Sequence, residues 1–219
     1  MENKKSLPST YFVGVRKEML PFLPSRRQRV LEIGCGHGTF SEGVDGCQEY
    51  WGVEPDAEAA KIADQKLKKV LNGTYNEVAD QLPDNYFDLI VCNDVIEHMP
   101  DHDEFLINIQ RKIADGGALV ASIPNVRYYY NLLELIVGKD WRYRDAGVLD
   151  RTHLRFFTRK SLLECLANAG FEVEEFQGIN RLKTRILPLK RLFRHLVFLL
   201  LGDDVRYLQF AFRAVKKKT

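Results

Sequence analysis

Four cysteines in 219 residues, with no C-x-x-C pair among them, leave this chain without the sulfur for a zinc ribbon or a disulfide scaffold. Cys35, Cys47, Cys92 and Cys165 are scattered and read as reduced, mostly buried thiols. Long apolar runs are missing too. The longest goes only from Leu196 to Leu201, against the ~20 residues a spanning helix needs. Met1 to Thr10 is polar, carries Lys4 and Lys5, and leads into no apolar stretch of the secretory kind, so export is not expected. Neither sign of charge dominates: 32 basic against 30 acidic residues give a formal +2, which argues for neither a nucleic-acid partner nor a disordered tail. What remains is 45% hydrophobic and 28% charged, the composition of one globular domain over residues 1–219 with enough core to fold unaided. Its expected location is the cytoplasm.

Against this background, the segment Val30-Leu31-Glu32-Ile33-Gly34-Cys35-Gly36-His37-Gly38-Thr39 stands out. An apolar run reaches an acidic residue and then glycines at alternate positions. Glycine belongs where the chain takes positive φ or where a ligand lies directly on the main chain, and a helix is expected to follow from Thr39. A dinucleotide fingerprint places its third glycine three residues after the second; here the interval is two, which argues against a nicotinamide cofactor. Gln48 to Val53 reads as a second strand ending at Glu54-Pro55, about twenty residues past the first glycine. Asp56 to Leu71 puts Ala59, Ala63, Leu67 and Val70 on one helical face, with Asp56 as N-cap. A weak strand at Thr74 to Val78 and a buried one at Phe87 to Cys92 follow. Next comes a helix carrying Phe105, Ile109 and Ile113 that stops at Gly116-Gly117. Ala118 to Ile123 is a fifth strand. Thr158 caps a helix that runs to Ala169 and ends at Gly170, and Phe171 to Phe176 and Tyr207 to Val215 complete the sheet. Alternating strands and helices predict an α/β, doubly wound, mostly parallel sheet with its ligands over the carboxyl ends of the strands.

The E-x-G-x-G-x-G turn resembles the first motif of the class I S-adenosylmethionine (SAM)-dependent methyltransferases, and Phe87-Asp88-Leu89-Ile90 through Glu97-His98 resembles their fourth-strand motif. Ser122 to Tyr128, Gly138-Lys139 and Gly147 to Thr158 are similar to a subgroup found in bacterial polysaccharide biosynthesis. Together the likeness spans roughly residues 10 to 180. It implies a Rossmann-like sheet of order 3-2-1-4-5-7-6 with the last strand antiparallel, SAM as cofactor, and methyl transfer to a sugar, glycan-linked or other small acceptor, most naturally at oxygen. A SAM-binding partner of a polysaccharide assembly without turnover is the alternative, with a nicotinamide oxidoreductase further off.

SAM presents an adenine, a ribose diol, an amino-acid tail and a sulfonium. Gly34, Cys35, Gly36 and Gly38 would supply backbone, and Glu54 would accept the ribose hydroxyls. Glu32 would either hold the ammonium through water or be a buried carboxylate bonded to nearby backbone. The resemblance implies that Asn93 and Asp94 line the cleft while Glu97-His98 tether their loop. It also implies that Tyr11, in a lid-like element over about residues 8–25, faces the sulfonium and that Arg16 meets the ligand's carboxylate. An Arg16 exposed on a helix packed at the sheet edge is the bland reading. Relatives often carry Gly-Asp after the third strand; this chain has Val78-Ala79-Asp80-Gln81, which makes Asp80 the adenine ligand by position.

A hydroxyl acceptor benefits from a general base, for which His153, oriented by Asp150, is the candidate; the same two residues would otherwise pin a loop of about twenty residues. Asn125, Arg127, Tyr128, Arg151 and Arg155 are candidates for the acceptor pocket. Asp94, Glu97, His98, Asp101, His102 and Asp103 also read as a metal cluster, but they are crowded, lack a clean ligand spacing and sit where helix caps belong, so no metal is expected. Finally, residues 181–202 hold Arg181, Lys183, Arg185, Lys190, Arg191 and Arg194 with no acidic residue before Asp203. Leu192, Phe193, Leu196, Leu199 and Leu200 lie on other faces of that basic helix, which is a lid, a homodimer contact or an interfacial helix on the inner face of a membrane.

Overall fold

The computed structural model describes residues 15–182 and 197–217. It contains a seven-stranded sheet, β1 (Arg29–Ile33), β2 (Glu49–Glu54), β3 (Lys69–Asn72), β4 (Phe87–Asn93), β5 (Ile113–Pro124), β6 (Phe171–Arg181) and β7 (Tyr207–Lys216), in the order β3-β2-β1-β4-β5-β7-β6. β1 pairs in parallel with β2 and β4, β2 with β3, and β4 with β5; β7 runs antiparallel to both β5 and β6. Order and directions are those implied by the sequence likeness.

The central strands read as continuous apolar runs because both faces are covered. α2 (Tyr75–Val78), α3 (His102–Lys112) and α5 (Arg159–Asn168) pack one face, where Phe105, Leu106, Ile109, Leu162 and Leu166 meet Leu31, Ile90, Leu119 and Phe212. α1 (Ala57–Asp64) and two 3₁₀ turns, Lys17–Phe22 and Thr39–Gly43, pack the other, with Met19, Phe22, Phe40, Ala63 and Leu67 on Val30, Leu89 and Val91. At the base of β4, Asp88 is wholly buried and is neutralised by Arg26 at 2.9 Å and Arg29 at 3.1 Å. Gly117 is where β5 comes hard against β4: a Cβ there would sit 2.9 Å from the carbonyl oxygens of Phe87 and Asp88.

Caps legible in the sequence do their work. Asp56 accepts from the N–H groups of Glu58 and Ala59 to start α1, Asp101 accepts from Glu104 to start α3, and Thr158 accepts from Ser161 to start α5. Four expectations fail against the tertiary structure. The helix expected over Asp56 to Leu71 stops at Asp64, because Val70 and Leu71 extend alongside Gly52 and Val53 as β3; Thr74 to Val78 is the short α2, not a strand. The helix expected from Thr39 is a short 3₁₀ turn that ends at Gly43 and is followed closely by Gly46 at φ 76°. Ile113 does not close α3 but opens β5, opposite Phe87. In the lid-like element, Val15 onward is described and is mainly the 3₁₀ turn Lys17–Phe22; Tyr11 lies outside the described residues.

Candidate functional site

The carboxyl ends of β2, β1 and β4 stand side by side and carry the glycine turn, two carboxylates and an amide. Gly34, Gly36 and Gly38 all take positive φ (71°, 53° and 70°). At Gly34 a Cβ would also lie 2.9 Å from Val95, so bulk is refused there twice over. The Gly34 and Cys35 N–H groups both donate to the Val53 carbonyl, which ties the turn to β2. Cys35 turns its side chain into the core against Gly52, leaving only its backbone for a ligand. Glu54 is 5% exposed; one oxygen accepts from Gly36 N–H at 2.7 Å and the other from Asp56 N–H at 2.9 Å. Burial raises its pKa, with those two backbone bonds pulling against it.

Glu32 is 3% exposed and accepts from the Tyr50 hydroxyl at 2.9 Å rather than from backbone. Burial pushes its carboxyl up to about 8; Tyr50 acts in the opposite sense, while Glu54 adds to the rise. Asn93, at the end of β4, leaves both amide atoms buried without a partner among the described residues. Asp80 is displaced from the role expected of it: it sits exposed in the 3₁₀ turn Ala79–Gln81, past α2, because β3 comes earlier in the chain. The residue that does end β3 is Asn72, whose amide donates to the Glu54 carbonyl at 2.8 Å. Pro55 lies exposed beside it.

Asp94 takes φ 54° and is gripped from three elements: Arg16 donates at 2.8 Å, Ser122 at 2.8 Å and Gln209 at 2.6 Å. Arg16 is thus inward-facing, bonded also to Glu18 and Ser122, and not exposed on a helix at the sheet edge. Ser122 and Gln209 were not singled out as site residues, since their meeting with Asp94 depends on β5 and β7 being neighbours.

Beyond Asp94 the chain makes a 3₁₀ turn, Ile96–His98, and there meets the 144–156 loop. The Glu97 carbonyl accepts from the N–H groups of Leu154 and Arg155, and His98 Nδ1 lies 3.1 Å from the Thr152 carbonyl, so what these two residues hold is the 144–156 loop rather than their own. The Glu97 side chain is 1% exposed and neither oxygen has a hydrogen-bond partner among the described residues. Burial, reinforced by Asp94, puts its pKa well above the usual carboxylate range. His153 is 9% exposed, with Nε2 3.9 Å from Glu97 Oε1 and its ring centroid 4.8 Å from that of His98. Asp150 does not orient the His153 ring as expected. Its Oδ1 accepts from Thr152 N–H and Oγ1, while the Val148 carbonyl lies 3.0 Å from His153 Nδ1. Burial raises the Asp150 pKa, but the Thr152 bonds outweigh it and leave the carboxyl below its ordinary value.

Of the expected acceptor residues, Asn125 and Arg127 are drawn into the scaffold, while Arg151 and Arg155 stay exposed. Asn125 is fully buried, donates to the carbonyls of Asp204 and Tyr207, and accepts from Arg127 N–H. The Arg127 guanidinium pairs with Asp204 at 2.9 Å, Arg151 with Asp145 at 2.8 Å, and Arg155 donates to the Pro100 carbonyl. Tyr128 instead lines a groove of about 670 Å³ between α4 (Tyr129–Ile136) and the 144–149 segment. Leu133, Val137, Val148 and Leu149 share its walls. Of the basic insertion, 183–196 lies outside the described residues; 197–201 is helical, with Phe198 buried against Tyr129 and Leu199 and Leu200 exposed. No helix among the described residues is long and apolar enough to cross a membrane.

SAM fits the first of these regions. A bare glycine turn, two buried carboxylates and an unpartnered buried amide at adjacent strand ends match a ligand that brings a diol, an ammonium and an adenine. Comparison with known proteins agrees. A family model described as a methyltransferase domain matches residues 10–175. The ubiquinone biosynthesis O-methyltransferase of Aeromonas salmonicida is 28% identical over 163 residues, covering 70% of this chain and 66% of that protein. Its counterpart from Rickettsia typhi is 24% identical over 173 residues, covering 75% and 68%. The chain thus spans about two thirds of the length of these relatives. A SAM-dependent methyltransferase from Archaeoglobus fulgidus has the same fold, with a TM-score of 0.68 at 22% identity over 91% of this chain and 90% of that one. Neither curated relative's name carries a polysaccharide role. On its motifs, its sheet order and these relatives, the chain belongs to the class I SAM-dependent methyltransferase family, with SAM as its cofactor.

Proposed function

We propose that this domain moves the methyl group of SAM to an oxygen of a small-molecule acceptor, releasing S-adenosylhomocysteine. The observation that carries the reading is the Asn93 amide: buried, unpartnered, and set between the glycine turn and Asp94 at the end of the central strand. A polar group in that condition costs about 1–3 kcal/mol unless a ligand satisfies it. When bound, SAM supplies a methyl on a positively charged sulfur. The protein's part is to aim the acceptor along the sulfur–methyl axis, keep water out and take up the acceptor's proton. His153 is the candidate for that proton, because the Val148 carbonyl engages Nδ1 and leaves Nε2 as the free nitrogen.

Oxygen as the methylated atom is supported by the names of the curated relatives, ubiquinone biosynthesis O-methyltransferases. An acceptor with an apolar portion is supported by the groove. Its walls include Leu133, Val137 and Leu149, and Val148 links it to the loop that carries His153, whose Nδ1 rests on the Val148 carbonyl. A glycan-linked acceptor rests on the likeness of residues 122–158 alone, since Asn125, Arg127, Arg151 and Arg155 are already engaged.

The test is a screen with methyl-labelled SAM against phenols bearing apolar tails, nucleotide sugars and lipid-linked glycans. Label on an apolar phenol supports the reading, and label on a glycan alone overturns its acceptor class. SAM binding without any turnover would favour the non-catalytic alternative, and preference for NADH over SAM in calorimetry would overturn the cofactor as well.

A further inference from the structure

We propose that Glu97, His98 and His153 form a binding site for one divalent transition-metal ion. The three side chains each offer a ligand atom, and these atoms lie within 4.8 Å of one another. Two imidazoles and one carboxylate are a donor set that zinc takes with an open fourth position, and that other divalent first-row metals share. Four ligands at about 2.1 Å in a tetrahedron stand roughly 3.4 Å apart, so the widest gap closes by roughly 1.4 Å through side-chain rotation.

Two features set this group apart from polar residues that merely meet in a core. First, Glu97 is 1% exposed and neither carboxylate oxygen has a hydrogen-bond partner among the described residues. Protonation removes its charge but creates an O–H donor with no acceptor at hydrogen-bond distance among the described residues, His153 Nε2 standing off at 3.9 Å. Second, both histidines rest Nδ1 against a backbone carbonyl, His98 on Thr152 at 3.1 Å and His153 on Val148 at 3.0 Å. That contact fixes the tautomer with the proton on Nδ1 and leaves Nε2 as the lone pair, the arrangement by which metal-bound imidazoles are oriented. The backbone around them is tied as well, since the Glu97 carbonyl accepts from Leu154 and Arg155.

A second group, His102, Asp103 and Cys165, also meets the distance criterion. It is the poorer site: the Cys165 thiol donates to Asp103 at 3.5 Å, burial pushes that thiol up to about 12, and His102 packs edge-on against Phe157. A thiol is the metal ligand only once deprotonated.

Metal at the first site and imidazole as proton acceptor exclude each other, because the ion takes the Nε2 lone pair. An acceptor hydroxyl entering the ion's open position would instead lose its proton to solvent, its pKa lowered by the charge. This extension rests on the O-methylation reading; metal binding itself does not.

The experiment is equilibrium dialysis of the full chain against zinc after chelator stripping, followed by cobalt substitution and visible absorption. Wild type is expected to hold one zinc per chain. Glu97→Gln, chosen for its near-identical shape, and His153→Ala should each weaken binding at least ~10-fold and change the cobalt spectrum while SAM affinity is retained. A His102→Ala/Cys165→Ser double variant should bind as wild type does. Absence of stoichiometric zinc in wild type, or zinc retained by Glu97→Gln and lost by the double variant, would overturn the proposal. Full turnover by stripped enzyme would overturn the catalytic extension. Failure to methylate any acceptor would count against the O-methylation reading and leave the zinc titration as readable as before.

Discussion

The two walls of the site are built on opposite terms. On the cofactor side, Glu54 is held by backbone N–H groups of the turn and of Asp56, Glu32 by the Tyr50 hydroxyl, and Asp94 by Arg16, Ser122 and Gln209; among the described residues the Asn93 amide is left wanting. Across Asp94, the Glu97 carboxylate is sealed in with no hydrogen-bond partner among the described residues, and the end of α4 leaves Ile136 63% and the following Val137 70% exposed. The first wall is finished but for that one amide, as a site preorganised for one fixed ligand should be. The second is unfinished in polar and apolar respects alike, which is the condition of a surface still to be completed by an acceptor, an ion or both.

If the walls are functionally separate, changes on one should not register on the other. The largest effect is expected from His153→Ala, which should cut turnover at least ~10²-fold with SAM affinity unchanged, read by steady-state kinetics beside calorimetry. A matching loss of SAM affinity would show the walls to be coupled. Next comes Glu54→Ala, which strips the acceptor from Gly36 and Asp56; SAM affinity should fall roughly 10- to 100-fold, the cost of a charge-assisted hydrogen bond or two. Asn93→Ala sharpens the comparison further. It removes an amide that bonds nothing among the described residues, so thermal stability without SAM should hold or rise while SAM binds about 10-fold more weakly. A marked loss of stability would mean that the amide has a structural partner after all.

The last expectation begins from no effect and grows with pH. Glu32 titrates in the folded protein at about 8, raised from an ordinary 4.5. The folded state therefore holds the proton more tightly than the unfolded chain. The resulting stability is complete below pH 4.5 and is lost as pH rises toward 8, at up to roughly 1.4 kcal/mol per pH unit. Glu32→Gln has no such slope. Its urea midpoint should match that of wild type at pH 4.5, pull ahead through neutrality and level off above 8; parallel curves for the two proteins would disprove the assignment.

Much of the cofactor wall was legible in the chain because its determinants are local. A positive-φ turn needs glycine at particular positions, and a cap needs Asp or Thr just before a helix; Gly34, Asp56 and Thr158 announce themselves. Where the reading failed, a distant neighbour overruled a local pattern. Val70 continued the apolar face of α1 but is drawn into β3 by Gly52, and Asp80 lost its strand in consequence. Ile113 continued the α3 stripe but is taken by Phe87.

The acceptor side shows the same limit more sharply. Asp94, Glu97, His98, Asp101, His102 and Asp103 are near in sequence and looked too crowded for a ligand set; the structure sends Asp94 to Arg16 and Asp101 to the start of α3. What it groups with Glu97 and His98 is His153, carried in by a loop anchored on the Glu97 carbonyl. Asp150, adjacent in sequence and expected to orient that histidine, is turned to Thr152 instead. Sequence by itself determined the sheet order, the glycine turn and the cofactor, because each depends on residues within one strand–turn–helix unit or on a family pattern of such units. Which side chains share the space beyond Asp94 was decided only in three dimensions: burial acts on atoms from separate segments at once, and no spacing along the chain records it.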